Sequence, residues 1–115
     1  MDHYRNPRNR GTIENPDFKS GVFNPSCGDS IAMEGVVQDG RLMDIMFQGT
    51  GCVVSQATAS LLTQAVKGKV LDEITLLDKQ SIMLLIGIEL GPVRLKCALL
   101  PLQALHEGIQ QYQDK

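Results

Sequence analysis

Three cysteines and one nearby carboxylate are the residues of this chain best suited to chemistry. They are Cys27, Asp29, Cys52 and Cys97, and each cysteine stands in a turn or near the predicted start of a helix. A thiolate is the form of cysteine that attacks sulfur and binds metal. Thiolates together with a carboxylate suit zinc or an iron–sulfur cluster. The sequence therefore points to a four-point metal or sulfur site, provided that the fold brings these residues together.

Cys52 follows Gly49-Thr50-Gly51, at the point where an apolar strand gives way to a helix of small residues. A cysteine at such a junction lies near the free N–H groups and the positive end of the helix, and both favour its thiolate. The two glycines allow a ligand or a partner to approach the backbone closely. Taken alone, a cysteine in such a turn is more often a buried packing residue.

Cys27 and Cys52 flank a predicted β-hairpin, which is the element that would bring them together. Residues 30–37 and 42–48 alternate apolar and polar side chains, as half-buried strands do. Asp39-Gly40 between them is a strong hairpin signal. An antiparallel pair joined by a short turn places its two outer ends side by side. We therefore expect the two cysteines to be neighbours in space.

Helical spacing dominates the second half of the chain. A helix is predicted over residues 53–67 and one or two short helices over residues 72–88, where a buried strand over residues 82–88 is the alternative. Asp78 is placed to cap the second short helix. The predicted apolar stripe of the first helix has four members, Val54, Ala57, Leu61 and Ala65. Residues 1–20 show neither period, which indicates a surface arm or a frayed terminus.

Cys97 is placed by the prediction for the last helix. Pro101 is tolerated only in the first turn of a helix, so this helix is expected to begin near Leu99. Cys97 would then lie just before a helix N-terminus, in the same electrostatic setting as Cys52. Lys96 would further favour a thiolate, although a solvent-exposed lysine without a role is the simpler interpretation.

Length and composition narrow the class of protein. A chain of 115 residues with 43% hydrophobic and 21% charged residues is most economically one ordinary globular domain. The net charge of −2 and the lack of a basic patch argue against nucleic acid and anionic membranes. The longest apolar run is too short to cross a bilayer. Three widely spaced cysteines without a secretion signal argue for reduced thiols, so a cytoplasmic location is expected.

The sequence does not support two familiar classes of cysteine site, the zinc finger and the cysteine hydrolase. The intervals of 25 and 45 residues between successive cysteines match no zinc finger, which needs paired Cys-x-x-Cys clips. A hydrolase with a cysteine nucleophile is poorly supported, because neither His3 nor His106 lies in a comparable motif.

Four motifs together resemble the U-type iron–sulfur cluster assembly scaffolds, the family that includes IscU, SufU and the N-terminal domain of NifU. The motifs cover almost the whole chain in the family's order, at residues 2–9, 24–29, 49–52 and 91–97. The resemblance implies an α+β fold, with a small antiparallel β-sheet of about three strands and helices packed on one face. It also implies that residues 1–115 form a single scaffold domain.

The function that this resemblance implies is a scaffold for iron–sulfur cluster assembly. Such a protein receives iron, takes sulfur from a cysteine desulfurase and passes the cluster to acceptor proteins. The implied ligands of a transient [2Fe–2S] cluster are Cys27, Asp29, Cys52 and Cys97, with zinc as the alternative occupant. Cys52 or Cys97 would accept sulfur, and Lys96 would tune the site or coordinate transiently. An iron donor, an Hsp70-type chaperone and a second copy of the chain are further expected partners.

Three features depart from the family pattern. Lys96 stands where many scaffolds have histidine, which is similar to the SufU-like branch of zinc-dependent sulfurtransferases, yet that branch's extra segment between the second and third cysteines is missing. Residues 90–94 keep only part of the stretch that binds the chaperone. The chain also begins where the family's first helix is expected to be under way, so that helix is expected to be truncated. A protein-interaction domain with a purely structural zinc is the third alternative.

Overall fold

A computed structural model of the chain describes residues 9–25, 28–87 and 90–114. In this part of the chain, three strands precede four helices. The strands form one antiparallel sheet in the order β1-β2-β3, and their bounds are Phe18–Asn24 for β1, Asp29–Gln38 for β2 and Arg41–Thr50 for β3. The helices are α1 (Val53–Val66), α2 (Leu71–Thr75), α3 (Lys79–Ile86) and α4 (Pro92–Gln113). The α+β fold predicted from the sequence is confirmed.

The predicted hairpin is present, with one irregularity in the pairing of its strands. Ile31 and Met33 of β2 and Ile45 and Phe47 of β3 are buried under the helices, as the alternation predicts. Met43, which the same alternation would bury, is exposed, and Leu42 is buried instead. Asp39 and Gly40 have φ angles of 55° and 76°, the left-handed pair that a two-residue turn of type I′ requires. The turn pairs Gln38 with Arg41, and an irregularity of the β-bulge type between Val36 and Val37 then shifts the register by one residue along the rest of the hairpin.

The start of the sheet corrects the sequence prediction for residues 1–20. The last three of these residues, Phe18 to Ser20, are the beginning of β1 rather than part of an irregular arm. The period is hidden because Ser20 is a polar residue on the buried face, where its hydroxyl donates to the carbonyl of Ala104 in α4. Residues 9–17 are held against the sheet by backbone bonds, for example from the Gly11 N–H to the carbonyl of Phe47.

Helix α1 matches its predicted bounds but not its predicted face. Leu62 and Val66 are in the core, whereas Leu61 is only partly buried and Ala65 is exposed. The cause is that α1 packs against both β3 and α4. It therefore buries small polar residues as well as apolar ones, and these are Ser55, Thr58, Ser60 and Thr63. Their short side chains let the helix approach the sheet closely.

The short helices follow the capping signals. The Asp78 side chain accepts from the Ser81 N–H and the Ser81 hydroxyl accepts from the Asp78 N–H, which is a complete capping box for α3. Gly87, with φ of 78°, ends the helix in the left-handed conformation. The alternative of a strand over residues 82–88 is thus wrong as far as residue 86, and residues 88 and 89 lie outside the described part of the chain.

The prediction that the last helix begins near Leu99 is wrong. Helix α4 begins at Pro92, which occupies the favoured first position, and Pro101 lies in its interior. Four buried residues hold this long helix against the sheet and α1, and they are Ala98, Leu102, Leu105 and Ile109. This packing outweighs the hydrogen bond that Pro101 cannot make. Within the described residues no helix, α4 included, combines the length and apolar character needed to span a membrane.

Phe18 links the sheet to α4 through two glycines. A Cβ on Gly35 of β2 or on Gly108 of α4 would collide with the Phe18 ring, so the ring fills a slot between two residues that lack side chains. Alanine at a helical glycine normally stabilises by about 1 kcal/mol. At Gly108, however, the new Cβ would stand 2.7 Å from Cε1 of Phe18.

We therefore expect Gly108→Ala to lower the free energy of unfolding by about 1–2 kcal/mol, because overpacking costs more than the helix gains. Urea unfolding of the metal-free protein is the measurement. The control is Gln110→Ala, at an exposed position two residues along the same helix, which should change stability by less than about 0.5 kcal/mol. A more stable Gly108→Ala variant would show that the Phe18 slot is not rigid.

Candidate metal centre

The hairpin brings the first residue of β2 beside the residue that follows β3. Asp29 is completely buried, and its Oδ1 accepts the backbone N–H of Cys52 at 2.8 Å. The thiol of Cys52 lies 3.2 Å from Asp29 Oδ2 and donates to it. Two donors of Cys52 therefore bond to one carboxylate, so Asp29 fixes both the backbone and the side chain of Cys52.

Cys52 is the N-cap residue of α1, as the sequence predicted. The helix has no acidic residue in its first turn and no side-chain cap. Asp29, at the start of the neighbouring strand β2, supplies the missing acceptor and negative charge. A carboxylate at a helix N-terminus is favoured by the helix dipole and by the free N–H groups. Ser55, which is fully buried, donates its hydroxyl to the Cys52 carbonyl at 3.1 Å and lies 3.9 Å from the Cys52 sulfur.

Neighbouring atoms lie so close to the backbone at Gly49 and Gly51 that neither position has room for a Cβ. A Cβ on Gly51 would overlap the Asp29 carboxylate, and Gly51 also has φ of 125°, which side chains rarely allow. A Cβ on Gly49 would overlap the carbonyl of Ser30 and stand 2.7 Å from Cδ1 of Ile31. The sequence indicated that these glycines permit close approach, and in the structure the approaching group is the protein's own carboxylate.

Cys97 completes a cluster of three donors. The ligand atoms of Asp29, Cys52 and Cys97 all lie within 4.8 Å of one another. Ligands bound 2.0–2.3 Å from a tetrahedral zinc ion stand roughly 3.3–3.8 Å apart, so a contraction of about 1 Å would let the three share one ion. Two thiols and a carboxylate are donors that zinc and iron accept. The residues present therefore fit a metal ion or a cluster.

The setting of Cys97 differs from the prediction. It is the sixth residue of α4 and is buried, instead of lying just before a helix N-terminus. Pro101 stands one turn further on and has no N–H to donate to the Cys97 carbonyl, so the helix ladder has one bond fewer at this point. Cys97 thus comes from a helix interior, whereas Cys52 comes from a helix end.

Three other residues singled out in the sequence have different outcomes. Cys27 lies outside the described residues, and its role as a ligand stays a prediction. Lys96 is exposed and lines a groove of about 290 Å³ together with Phe23 and Leu99. His106 donates from Nε2 to the carbonyl of Ile74 at 2.9 Å, which joins α4 to α2.

Gln56 is the residue of this region that sequence analysis missed. It lies one turn after Cys52 and is only 6% exposed. Neither polar atom of its side chain has a hydrogen-bond partner in the described structure. A glutamine at a helix position carries no sequence signal of burial, so only the packing of α1 against the sheet could reveal it.

These features define a class of α+β domain that carries a cysteine-containing site where a small sheet meets its helices. The sequence pattern of the NifU-like N-terminal domain family matches residues 1–115. The chain belongs to this family.

Relatives of known role are similar over almost the whole chain. The iron–sulfur cluster assembly scaffold protein IscU of Escherichia coli K12 is 38% identical over 119 positions, which cover 100% of this chain and 91% of IscU. The zinc-dependent sulfurtransferase SufU of Bacillus subtilis is 35% identical over 126 positions, which cover 95% of this chain and 85% of SufU. The second alignment is longer than the chain, so SufU contains residues that have no counterpart here.

Solved structures agree with the fold. A structure described as an iron–sulfur cluster assembly scaffold protein for the SUF system, from Fervidobacterium islandicum, has a TM-score of 0.80 and 27% identity over 95% of this chain and 92% of its own. A NifU-like N-terminal protein from Brucella abortus has a TM-score of 0.83 over 100% of this chain and 92% of its own. At 22% identity, the second comparison shows the fold alone.

The contact between Gly51 and Asp29 generates a prediction about the site. Gly51→Ala should displace the Asp29 carboxylate, so the Cys52 amide loses its acceptor and exchanges its hydrogen faster. Binding of Co²⁺, followed by its visible spectrum, should weaken at least tenfold, since the displaced carboxylate is one of the donors.

Gly40→Ala is the matched control, because Gly40 also has positive φ but no atom within 4 Å of a new Cβ. It should lower stability through backbone strain while leaving Co²⁺ binding unchanged. Equal loss of Co²⁺ binding in both variants would mean that strain, and not the displacement of Asp29, explains the effect.

Proposed function

We propose that this protein is a scaffold on which an iron–sulfur cluster is assembled and from which it is passed on. The observation that carries the proposal is the cluster of Asp29, Cys52 and Cys97 donors within 4.8 Å. Cys27, two residues before Asp29 in the chain, is the fourth proposed ligand. The cluster is the cargo of this protein, taken as [2Fe–2S], and zinc is an alternative occupant of the same donors.

Asp29 would have a different partner in the empty and in the loaded protein. In the structure its carboxylate accepts from the Cys52 N–H and thiol. When cargo binds, iron or zinc takes the place of the thiol proton, because thiol ligands must be deprotonated. When cargo leaves, the proton returns and Asp29 regains its second donor. Because Asp29 can bond to the Cys52 thiol in place of the metal, its metal bond is easier to break. A scaffold needs this release, whereas a permanent site with four thiolates does not provide it.

Sulfur delivery would begin at a cysteine, and Cys52 is the better placed of the two described ones. It is half-buried, whereas Cys97 is buried. The Cys52 thiolate would attack the terminal sulfur of a persulfide on the donor enzyme's cysteine. The bond between that sulfur and the donor cysteine would break, so the persulfide forms on Cys52 and the donor leaves as a thiolate. Oxidation states balance, and no further reductant is needed for this step.

The second candidate function is zinc-dependent sulfur transfer, favoured by the similarity to SufU. In that case zinc would stay bound, and Cys52 would carry persulfide without building a cluster. The missing SufU residues and the almost gap-free match to IscU favour the scaffold.

The proposed partners follow from this chemistry. They are a cysteine desulfurase, an iron donor and acceptor apo-proteins, with an Hsp70-type chaperone and self-association as further expectations. The cytoplasm is the proposed compartment, since the site needs reduced thiols. Lys96, at the rim of the groove beside α4, is proposed to adjust the site from outside or to coordinate transiently.

The deciding experiment is anaerobic reconstitution with ferrous iron, cysteine, a cognate desulfurase and dithiothreitol, the thiol reductant that converts persulfide sulfur to sulfide. The scaffold predicts a sulfide-to-iron charge-transfer spectrum with matched iron and sulfide per chain, and Cys52→Ser should abolish it. The Gln110→Ala variant should behave as the wild type. Retained zinc with persulfide on Cys52 would favour the sulfurtransferase. Loss of fold on chelation, without sulfur chemistry in any variant, would leave zinc a structural role only.

A second prediction concerns release. Asp29→Cys replaces the exchangeable carboxylate by a thiolate, which gives the ligand set of a stable ferredoxin-type site. We expect this variant to hold a reconstituted cluster and to transfer it to an apo-ferredoxin at least tenfold more slowly than the wild type. Circular dichroism of the acceptor's cluster follows the transfer. An unchanged transfer rate would remove Asp29 from the release step.

A further inference from the structure

Gln56 buries a primary amide without giving it a partner. Its side chain is 94% buried, and neither Nε2 nor Oε1 has a hydrogen-bond partner among the described residues. Leaving such a group unpaired is a substantial cost to the folded state. No other buried side-chain oxygen or nitrogen in the described structure is left without a partner. Buried polar groups normally have a hydrogen-bond partner, so the unpaired amide of Gln56 requires an explanation.

Gln56 stands one helical turn after Cys52, a member of the three-donor cluster. Gln56 is four residues after Cys52 on α1, and its backbone N–H bonds to the Cys52 carbonyl at 3.3 Å. Side chains of a helix lean towards its N-terminus, which here is the Cys52 end. On the sheet side, Nε2 stands 3.1 Å from the place that a Cβ of Gly49 would take. The space left by Gly51, two residues along, is filled by the Asp29 carboxylate.

The hydrogen bonds of Asp29 must change when the site is filled. In the structure the carboxylate has two donors from Cys52, the N–H and the thiol. A metal ion takes the place of the thiol proton, so the carboxylate loses one of these donors. Oδ1 keeps the Cys52 N–H, and a carboxylate has about four acceptor positions, so Asp29 has the capacity for a further donor once the thiol proton is gone. Gln56, one helical turn after Cys52, has a side-chain amide without a partner among the described residues.

We propose that Gln56 is a positioning residue that donates from Nε2 to the Asp29 carboxylate in the loaded protein. This inference rests on the proposed function, since it needs a metal or a cluster on Asp29. It makes Gln56 a link between loading and stability. The amide destabilises the empty protein and gains its partner when the site fills, so part of the affinity for cargo comes from relieving an unpaired group.

The test is Gln56→Met, which keeps the length and flexibility of the side chain and removes both polar atoms. The empty variant should be more stable than the empty wild type, with a melting temperature about 4 °C or more higher. Its affinity for Zn²⁺, measured by competition with a chromophoric chelator, should be at least tenfold weaker. Its Co²⁺ complex should show shifted ligand-field bands, which a purely structural residue would not alter.

Thr63→Val on the same helix is the matched control. Thr63 is fully buried and its hydroxyl donates to the Ser60 carbonyl and accepts from Asn9, so its loss should lower the melting temperature without changing Zn²⁺ affinity. Gln56→Leu, which also removes the amide, should reproduce the result for methionine and keeps the test valid if one variant fails to fold.

The outcomes separate this inference from the proposed function. A wild type that binds neither Zn²⁺ nor Co²⁺ overturns both. A wild type that binds, together with a Gln56→Met variant that binds within twofold of it, overturns the role of Gln56 alone. A lower melting temperature of the empty Gln56→Met variant also overturns it, because the amide would then have a partner in the empty protein.

Discussion

The hydrogen bond from the Cys52 N–H to the buried Asp29 carboxylate is the contact on which the geometry of the site depends. It joins the start of β2 to the start of α1 and supplies the negative charge that this helix lacks in its own first turn. It also requires a residue without Cβ at position 51. The hairpin turn and the register shift between Val36 and Val37 together set the pairing of β2 with β3, and this pairing determines where the carboxylate meets the cysteine.

The site is polar where a small domain would gain more from apolar packing. Asp29, Ser55 and Gln56 are all buried at the junction of the sheet and α1, and each replaces a group that could contribute to the core. The fold compensates at a distance from the site. Phe18 fills its slot between Gly35 and Gly108, and the apolar face of α4 covers β1 and β2. Much of the apolar packing thus lies away from the site, while α4 takes part in both because it also carries Cys97.

The sequence predicted the features that depend on neighbouring residues in the chain. The hairpin turn, the bounds of α1, the cap of α3 by Asp78 and the position of Cys52 at the start of α1 each follow from a few adjacent residues. Tertiary packing decided the rest. The sequence suggests that Ser20 is a surface residue, because its bond to Ala104 depends on tertiary packing. The sequence also suggests that Pro101 marks a helix start, because the packing of α4 that outweighs its missing N–H cannot be predicted locally. Gln56 has no signal at all, because its burial depends on how closely α1 approaches Gly49.

The three described donors come from three different elements, so the site depends on how these elements pack. Asp29 and Cys52 fix each other through two hydrogen bonds at the sheet–helix junction. Cys97 stands in the interior of α4, and its distance from the other two donors is set by the packing of α4 against the sheet and α1. The contacts that stabilise the domain therefore also set the spacing of the donors, and the contraction of about 1 Å that a shared ion requires must be compatible with that packing.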